Sequence, residues 1–165
     1  MIDAGDLLDE VIKPVLKLMV PAWGEAINHP AAPNLLLGTC FQESLIGNAM
    51  HLRQVGGGPA LGIYQIEPAT HRDIWDNHLN FRPGKAQLVR GLATSASMGP
   101  DFQLITNLAY STAIARIKYW RRTFEWPEDP NDLEALAWIW DTHYNANPIH
   151  GKPEDFIAAF PAGCL

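Results

Sequence analysis

The chain has 165 residues, 47% of them hydrophobic and 18% charged, with a formal net charge of -6 at pH 7. That is the size of one domain, long enough to bury a real core. Acidic and basic residues are mixed along the chain with no basic patch, which argues against nucleic acid as a main partner and against a strongly anionic membrane surface. A grip on a polyanionic polymer would have to come from hydrogen bonds and ring stacking, for which six Trp and four Tyr are present.

The N-terminal stretch MIDAGDLLDEVIK is acidic where a secretion signal would be basic, and no apolar run is long enough to span a bilayer. From Asp6 to Val20 the residues Leu7, Leu8, Val11, Ile12, Val15, Leu16, Met19 and Val20 form the stripe of an amphipathic helix, which Pro14 kinks or splits. NHPAAPN is a loop, and Pro33 with Asn34 begins a second helix that runs through LLLGTCFQES to a stop at Gly47. HLRQVGGGPALGIYQI carries too much glycine for a helix and predicts a loop with a short β or turn segment near residues 56–66. PATHRDIWDNHL restarts a helix with Pro68 in its first turn, and GKAQLVRGLATSA is a weaker one. DFQLITNLAYSTAIARIKYWRRTF predicts one long helix with Leu104, Ile105, Leu108, Ile114 and Ile117 on its apolar face. NDLEALAWIWDTHYNAN and PEDFIAAF complete a mostly α chain, read as a single domain over residues 1–165. No internal repeat of 20 to 50 residues occurs, so a solenoid is not expected.

Three segments carry chemistry. In FQESLIG, Glu43 stands at the C-terminal end of its helix among Phe41 and Leu45. The negative end of the helix dipole and the apolar neighbours both disfavour an ionised carboxylate, so the pKa should rise toward neutrality, as a general acid requires. The plain alternative is a solvated glutamate beside a helix cap. In LGIYQIEPATH, Gly62 lets the backbone turn or approach a ligand and Gln65 offers both a donor and an acceptor, although such a stretch also serves as a simple turn. In HYNANP, Tyr144 and Asn145 follow the apolar helix containing Trp138 and Trp140, where a cap with a core aromatic is the structural alternative.

Together and in this order, QES, GGGPALGIYQIEPAT, NLAYSTAIARIKYW and HYNANP resemble the lytic transglycosylase domain of the goose-type lysozyme-like superfamily, over about residues 6 to 150. The resemblance implies a lysozyme-like helical fold and cleavage of peptidoglycan glycan strands. It makes Glu43 the catalytic acid/base, sets Tyr144 near it as a second catalytic residue, and puts Ser44, Tyr64, Gln65 and Asn145 at the glycan. Tyr64 stands where the family often has methionine, His143 replaces a small or apolar residue, and Asn147 replaces the usual glycine. Compact domains without a signal segment look similar to those of bacteriophage lysis and virion proteins. The implied partner is the bacterial cell wall, bound by a monomer with no nucleic acid, no membrane insertion and no cofactor.

Ordinary glycosidases use two carboxyl groups. The resembled family uses one, which protonates the leaving oxygen and then draws the proton from the muramic acid C6 hydroxyl to close a 1,6-anhydro ring. Glu67, Asp73, Asp76 and Asp101 are the candidate second carboxylates of a hydrolytic muramidase, and a non-catalytic glycan-binding or virion module is the further alternative. His71 and His78, like His143 and His150, stand seven apart and no HExxH occurs, so no metal site is expected. Trp120, Trp126, Trp138 and Trp140 fit a helical core, with one or two available to stack on sugars at a groove edge. Whether Cys40 and Cys164 pair is left open by the sequence.

Overall fold

The computed structural model describes residues 2–94, 98–145 and 151–165. The chain is mostly α, with a single two-stranded sheet among the described residues. A short turn α1 (Ala4–Asp6), capped by the Asp3 carboxylate, leads into a π-helical stretch over Leu7–Ile12 and then α2 (Lys13–Trp23). The helix thus runs past Pro14 instead of breaking there. Its wider π turn ends just before Pro14, and the helix changes from π to α pairing at the point where the proline ring and its missing N–H interrupt the regular ladder. Gly24, at φ 82°, ends it.

Helix α3 (Ala32–Ser44) has Pro33 in its first turn and is buried almost all round, from Leu35 to Phe41. It packs on the N-terminal π-helical stretch, α7 (Leu108–Trp120), α8 (Leu133–His143) and α9 (Pro153–Ala159). Gly38 is required by that packing, because a Cβ there would run into the ring of the fully buried Phe156. Burying such a phenyl ring contributes roughly 2 to 3 kcal/mol, so the close approach has value.

The helix stops at Ser44, three residues before the predicted Gly47. Gly47 instead turns a hairpin, β1 (Leu45–Ile46) paired antiparallel with β2 (Ala49–Met50) through Gly47 and Asn48. Its φ of 61° suits the first central position of a tight two-residue turn. The regular strand pair therefore precedes the predicted 56–66 segment, which carries isolated bridges of Leu61 with Arg53 and with Ile66.

Helix α4 (Pro68–Ile74) continues into a second π-helical stretch, Trp75–Leu79, and α5 (Pro83–Leu92) follows. The predicted long helix is two, α6 (Phe102–Thr106) and α7. Asn107 leaves helical geometry and its side chain accepts from the Tyr110 N–H, while its amide donates to the Leu92 carbonyl. Local capping by a short amide side chain outcompetes the apolar periodicity. Buried residues from Leu7 to Phe160 form one hydrophobic cluster. Arg116 lies within it, 2% exposed, and donates to the carbonyls of Ile27 and Ala26. Cys40 and Cys164 are both free thiols.

Candidate active site

Glu43 lies in the last turn of α3, and the chain beyond it folds straight back as the β1–β2 hairpin. Its side chain opens on a cleft of about 450 Å³ also lined by Gln42, His51, Gln65, Glu67, Lys118 and Tyr144. One carboxylate oxygen accepts the indole N–H of Trp140 at 2.8 Å. Burial is the dominant influence on the acid and pushes its pKa up to about 7, against the opposing pull of the Trp140 hydrogen bond and the Lys118 charge. Near neutral pH the group therefore exists in both protonation states, as a residue that gives and then recovers a proton requires.

Lys118 projects from α7 and donates to the Tyr144 carbonyl at 2.9 Å, its ammonium 3.4 Å from the centre of the Tyr144 ring. Burial lowers its pKa to about 8, partly offset by the charges of Glu43 and Glu67. It supplies the cation of the cleft.

The loop carrying Gln65 is fixed by unusual backbone. Gly62 adopts φ 72°, and a Cβ there would strike the Leu104 carbonyl oxygen. Gln65 itself has φ 44°, a left-handed conformation that costs a non-glycine residue on the order of 1 kcal/mol. Its amide donates to the carbonyls of Gly62 and His51 at 2.8 and 3.2 Å, which leaves the amide oxygen for the cleft. Asn145 also lines the cleft, donating to Asp141 and to the Gly151 carbonyl.

Two predicted site residues do not face this space. Ser44 is 1% exposed and its hydroxyl donates back to the Cys40 carbonyl of its own helix. Tyr64 is fully buried, its phenol paired with Thr112. Tyr144 contributes its ring to the cleft wall, but its hydroxyl donates to the Tyr64 carbonyl at 2.7 Å and is not directed at Glu43. Burial, with Glu43 nearby, pushes that phenol well above its ordinary pKa and keeps it an O–H donor.

Of the candidate second carboxylates, only Glu67 lines the cleft. It precedes α4 and makes no capping hydrogen bond there. Asp73 is held by Arg121 and Asn77, and Asp101 by His71. Asp76 lines a separate cavity of about 690 Å³ that shares no lining residue with the cleft. That cavity is the larger, but its titratable core is already engaged: His71 sits between Asp101 and Tyr110 at 2.8 Å each, and Trp75 donates to the Tyr110 hydroxyl. A paired network of this kind positions helices and has no group left to attack a substrate.

Sequence reasoning missed Lys118 and the Trp140–Glu43 bond. Among the described residues lining the cleft there is no tryptophan, and its exposed apolar rim is Ile46 and Val55. Trp138, assigned to the core, is 62% exposed. Asn147 and His150 lie outside the described residues. Among the described residues no three His, Cys, Asp or Glu side chains converge as metal ligands would, and no helix is long and apolar enough to cross a membrane.

Compared with known proteins, the chain matches no family, no curated protein and no solved structure. The geometry of the cleft is accordingly the ground for a functional reading.

Proposed function

We propose that the protein is a lysozyme-like enzyme that cleaves the glycan strand of peptidoglycan, between N-acetylmuramic acid and N-acetylglucosamine, as a lytic transglycosylase. The observation that carries this reading is Glu43, a carboxyl group raised to about 7 and held at one oxygen by Trp140 in an open cleft. Its proton goes to the glycosidic oxygen as the bond from the anomeric carbon breaks. The Glu43 carboxylate then takes the proton of the muramic acid C6 hydroxyl while that oxygen bonds the anomeric carbon. The acid is regenerated and no water is consumed.

Lys118 stabilises the carboxylate that exists between these two transfers, and the Gln65 amide oxygen is placed to accept from a sugar hydroxyl or acetamido N–H. The exposed side chains of Ile46 and Val55 offer an apolar wall to the sugar faces. A hydrolytic muramidase is the second reading, favoured by the presence of Glu67 in the same cleft, where it could activate water.

Digestion of purified peptidoglycan with mass analysis of the products tests the proposal. Fragments with 1,6-anhydro ends, each lighter by one water than a reducing-end product, are expected. Reducing-end fragments would move the assignment to the muramidase, and absence of any cleavage would leave a glycan-binding module.

A further inference from the structure

A second chamber opens off the cleft and differs from it in charge. Its volume is about 320 Å³, and it shares Thr70, Lys118, Tyr144 and Asn145 with the Glu43 cleft, so the two adjoin. Arg121 and Arg122, at the C-terminal end of α7, line its other side. The only carboxylate among its described lining residues is Asp73, which Arg121 engages at 2.7 Å. The Arg122 guanidinium has no hydrogen bond or ion pair among the described residues, and the Lys118 ammonium spends its one bond on a carbonyl. Two cations thus face this place with no carboxylate hydrogen-bonded to either, in a protein whose net charge is -6. A like-charged pair kept beside a cleft in an acidic protein has a use if an anion binds between them.

We infer that this chamber is a subsite for a carboxylate-bearing substituent of the glycan strand, held by Arg122 and Lys118 and leading away from Glu43 past the Tyr144 ring. The inference rests on the glycan-cleaving reading and names the substrate class that reading leaves open. Arg122 offers the planar fork that meets a carboxylate with two parallel hydrogen bonds, and Lys118 adds a point charge at the junction with the cleft. The chamber has room for roughly ten waters, more than one carboxylate fills, so it suits a substituent of several heavy atoms. Two sources share this chemistry: the stem peptide, and the lactyl group of muramic acid when no peptide is attached.

Kinetics on three soluble strands separate the cases: peptide-bearing strands, amidase-stripped strands with free lactyl carboxylates, and carboxylate-free stripped strands whose lactyl groups have been converted to amides. For Arg122→Gln, the kcat/KM ratio of carboxylate-bearing to carboxylate-free strand should fall about 10-fold, mainly through KM, and Arg122→Lys should restore most of it. A fall confined to peptide-bearing strands assigns the stem peptide, and one confined to stripped strands assigns the lactyl group. If Arg122→Gln leaves the ratio unchanged while the strands are still cut, the subsite is wrong and the cleavage reading stands. Calorimetric titration of the protein with a disaccharide-peptide gives the converse arm. If no strand is cut yet that fragment binds about 10-fold more weakly to Arg122→Gln than to the parent protein, the subsite stands without the activity. Equal binding in that situation overturns it.

Discussion

The indole N–H of Trp140 donates to Glu43 Oε1 at 2.8 Å, joining the end of α3 to the last turns of α8. Trp140 is 1% exposed and its ring lies against Phe156, so the donor cannot swing away. The bond fixes one carboxylate oxygen and leaves the other to the cleft. It also favours the ionised form, opposing the burial that raises the pKa.

Removing that donor should therefore be read in the pH profile. In Trp140→Phe, the Glu43 pKa rises further, and the alkaline limb of kcat/KM, which reports the free enzyme's protonated acid, moves to higher pH by up to about one unit. The lost bond and the smaller ring should also cost roughly 1 to 3 kcal/mol of stability. An unmoved limb would mean that the tryptophan serves packing alone.

Glu43→Gln separates catalysis from folding. Cleavage should fall by at least about 10² to 10⁴, since the titrating proton is gone, and a variant keeping more than about a tenth of parental activity would remove Glu43 as the acid. Stability should move the other way. The folded pKa of about 7 lies above the group's ordinary value of 4.5, so the native state is favoured while the group is protonated. That advantage is complete below about pH 4.5 and is lost as pH rises through 7. Above pH 7 the ionised Glu43 costs on the order of 2 to 3 kcal/mol, a cost that Gln lacks. Thermal midpoints should match at pH 4 and favour Glu43→Gln by several degrees at pH 8.

Tyr144→Phe tests a supporting role. The hydroxyl bonds the Tyr64 carbonyl and so ties α8 to the loop that presents Gln65. Its loss should cost about 1 to 2 kcal/mol and lower the thermal midpoint by a few degrees. Turnover should fall less than about tenfold, well short of a general-acid loss. A loss of turnover comparable to that of Glu43→Gln, at unchanged stability, would put the phenol in the reaction itself.

What the sequence disclosed depended on how local the cause is. Glu43 could be read because a carboxylate closing an apolar helix is anomalous whatever surrounds it, and its raised pKa follows from that placement. Trp140 could not, because it meets Glu43 across 97 residues and looks like any core tryptophan in an apolar run. Lys118 left a usable signal: it stands four residues after Ile114, so a charge falls on the apolar face of α7. Ser44 and Tyr64 were given to the glycan by resemblance, yet the direction of each side chain is set by a local bond, Ser44 to Cys40 and Tyr64 to Thr112. The end of α3 was misplaced by three residues because glycine marks both a helix stop and a hairpin turn, and only the pairing of Leu45 with Met50 decides between them.

Glu67→Gln discriminates the two chemistries proposed for the cleft. If the C6 hydroxyl of muramic acid is the nucleophile, it is tethered to the reacting sugar, and a well-oriented internal nucleophile reaches effective molarities of about 10⁵ M or more. Bulk water then cannot compete, and the second carboxylate has no proton to remove. Glu67 would contribute only its charge, which helps keep Lys118 protonated. The substitution should change kcat by less than about threefold, far below a general-base effect, and leave 1,6-anhydro products unchanged. A hydrolase needs Glu67 to hold and deprotonate water, and its loss should then cost about 10² or more, with reducing ends in the parental products. Product mass and Glu67→Gln kinetics must agree, because only a transglycosylase combines anhydro ends with a nearly silent Glu67.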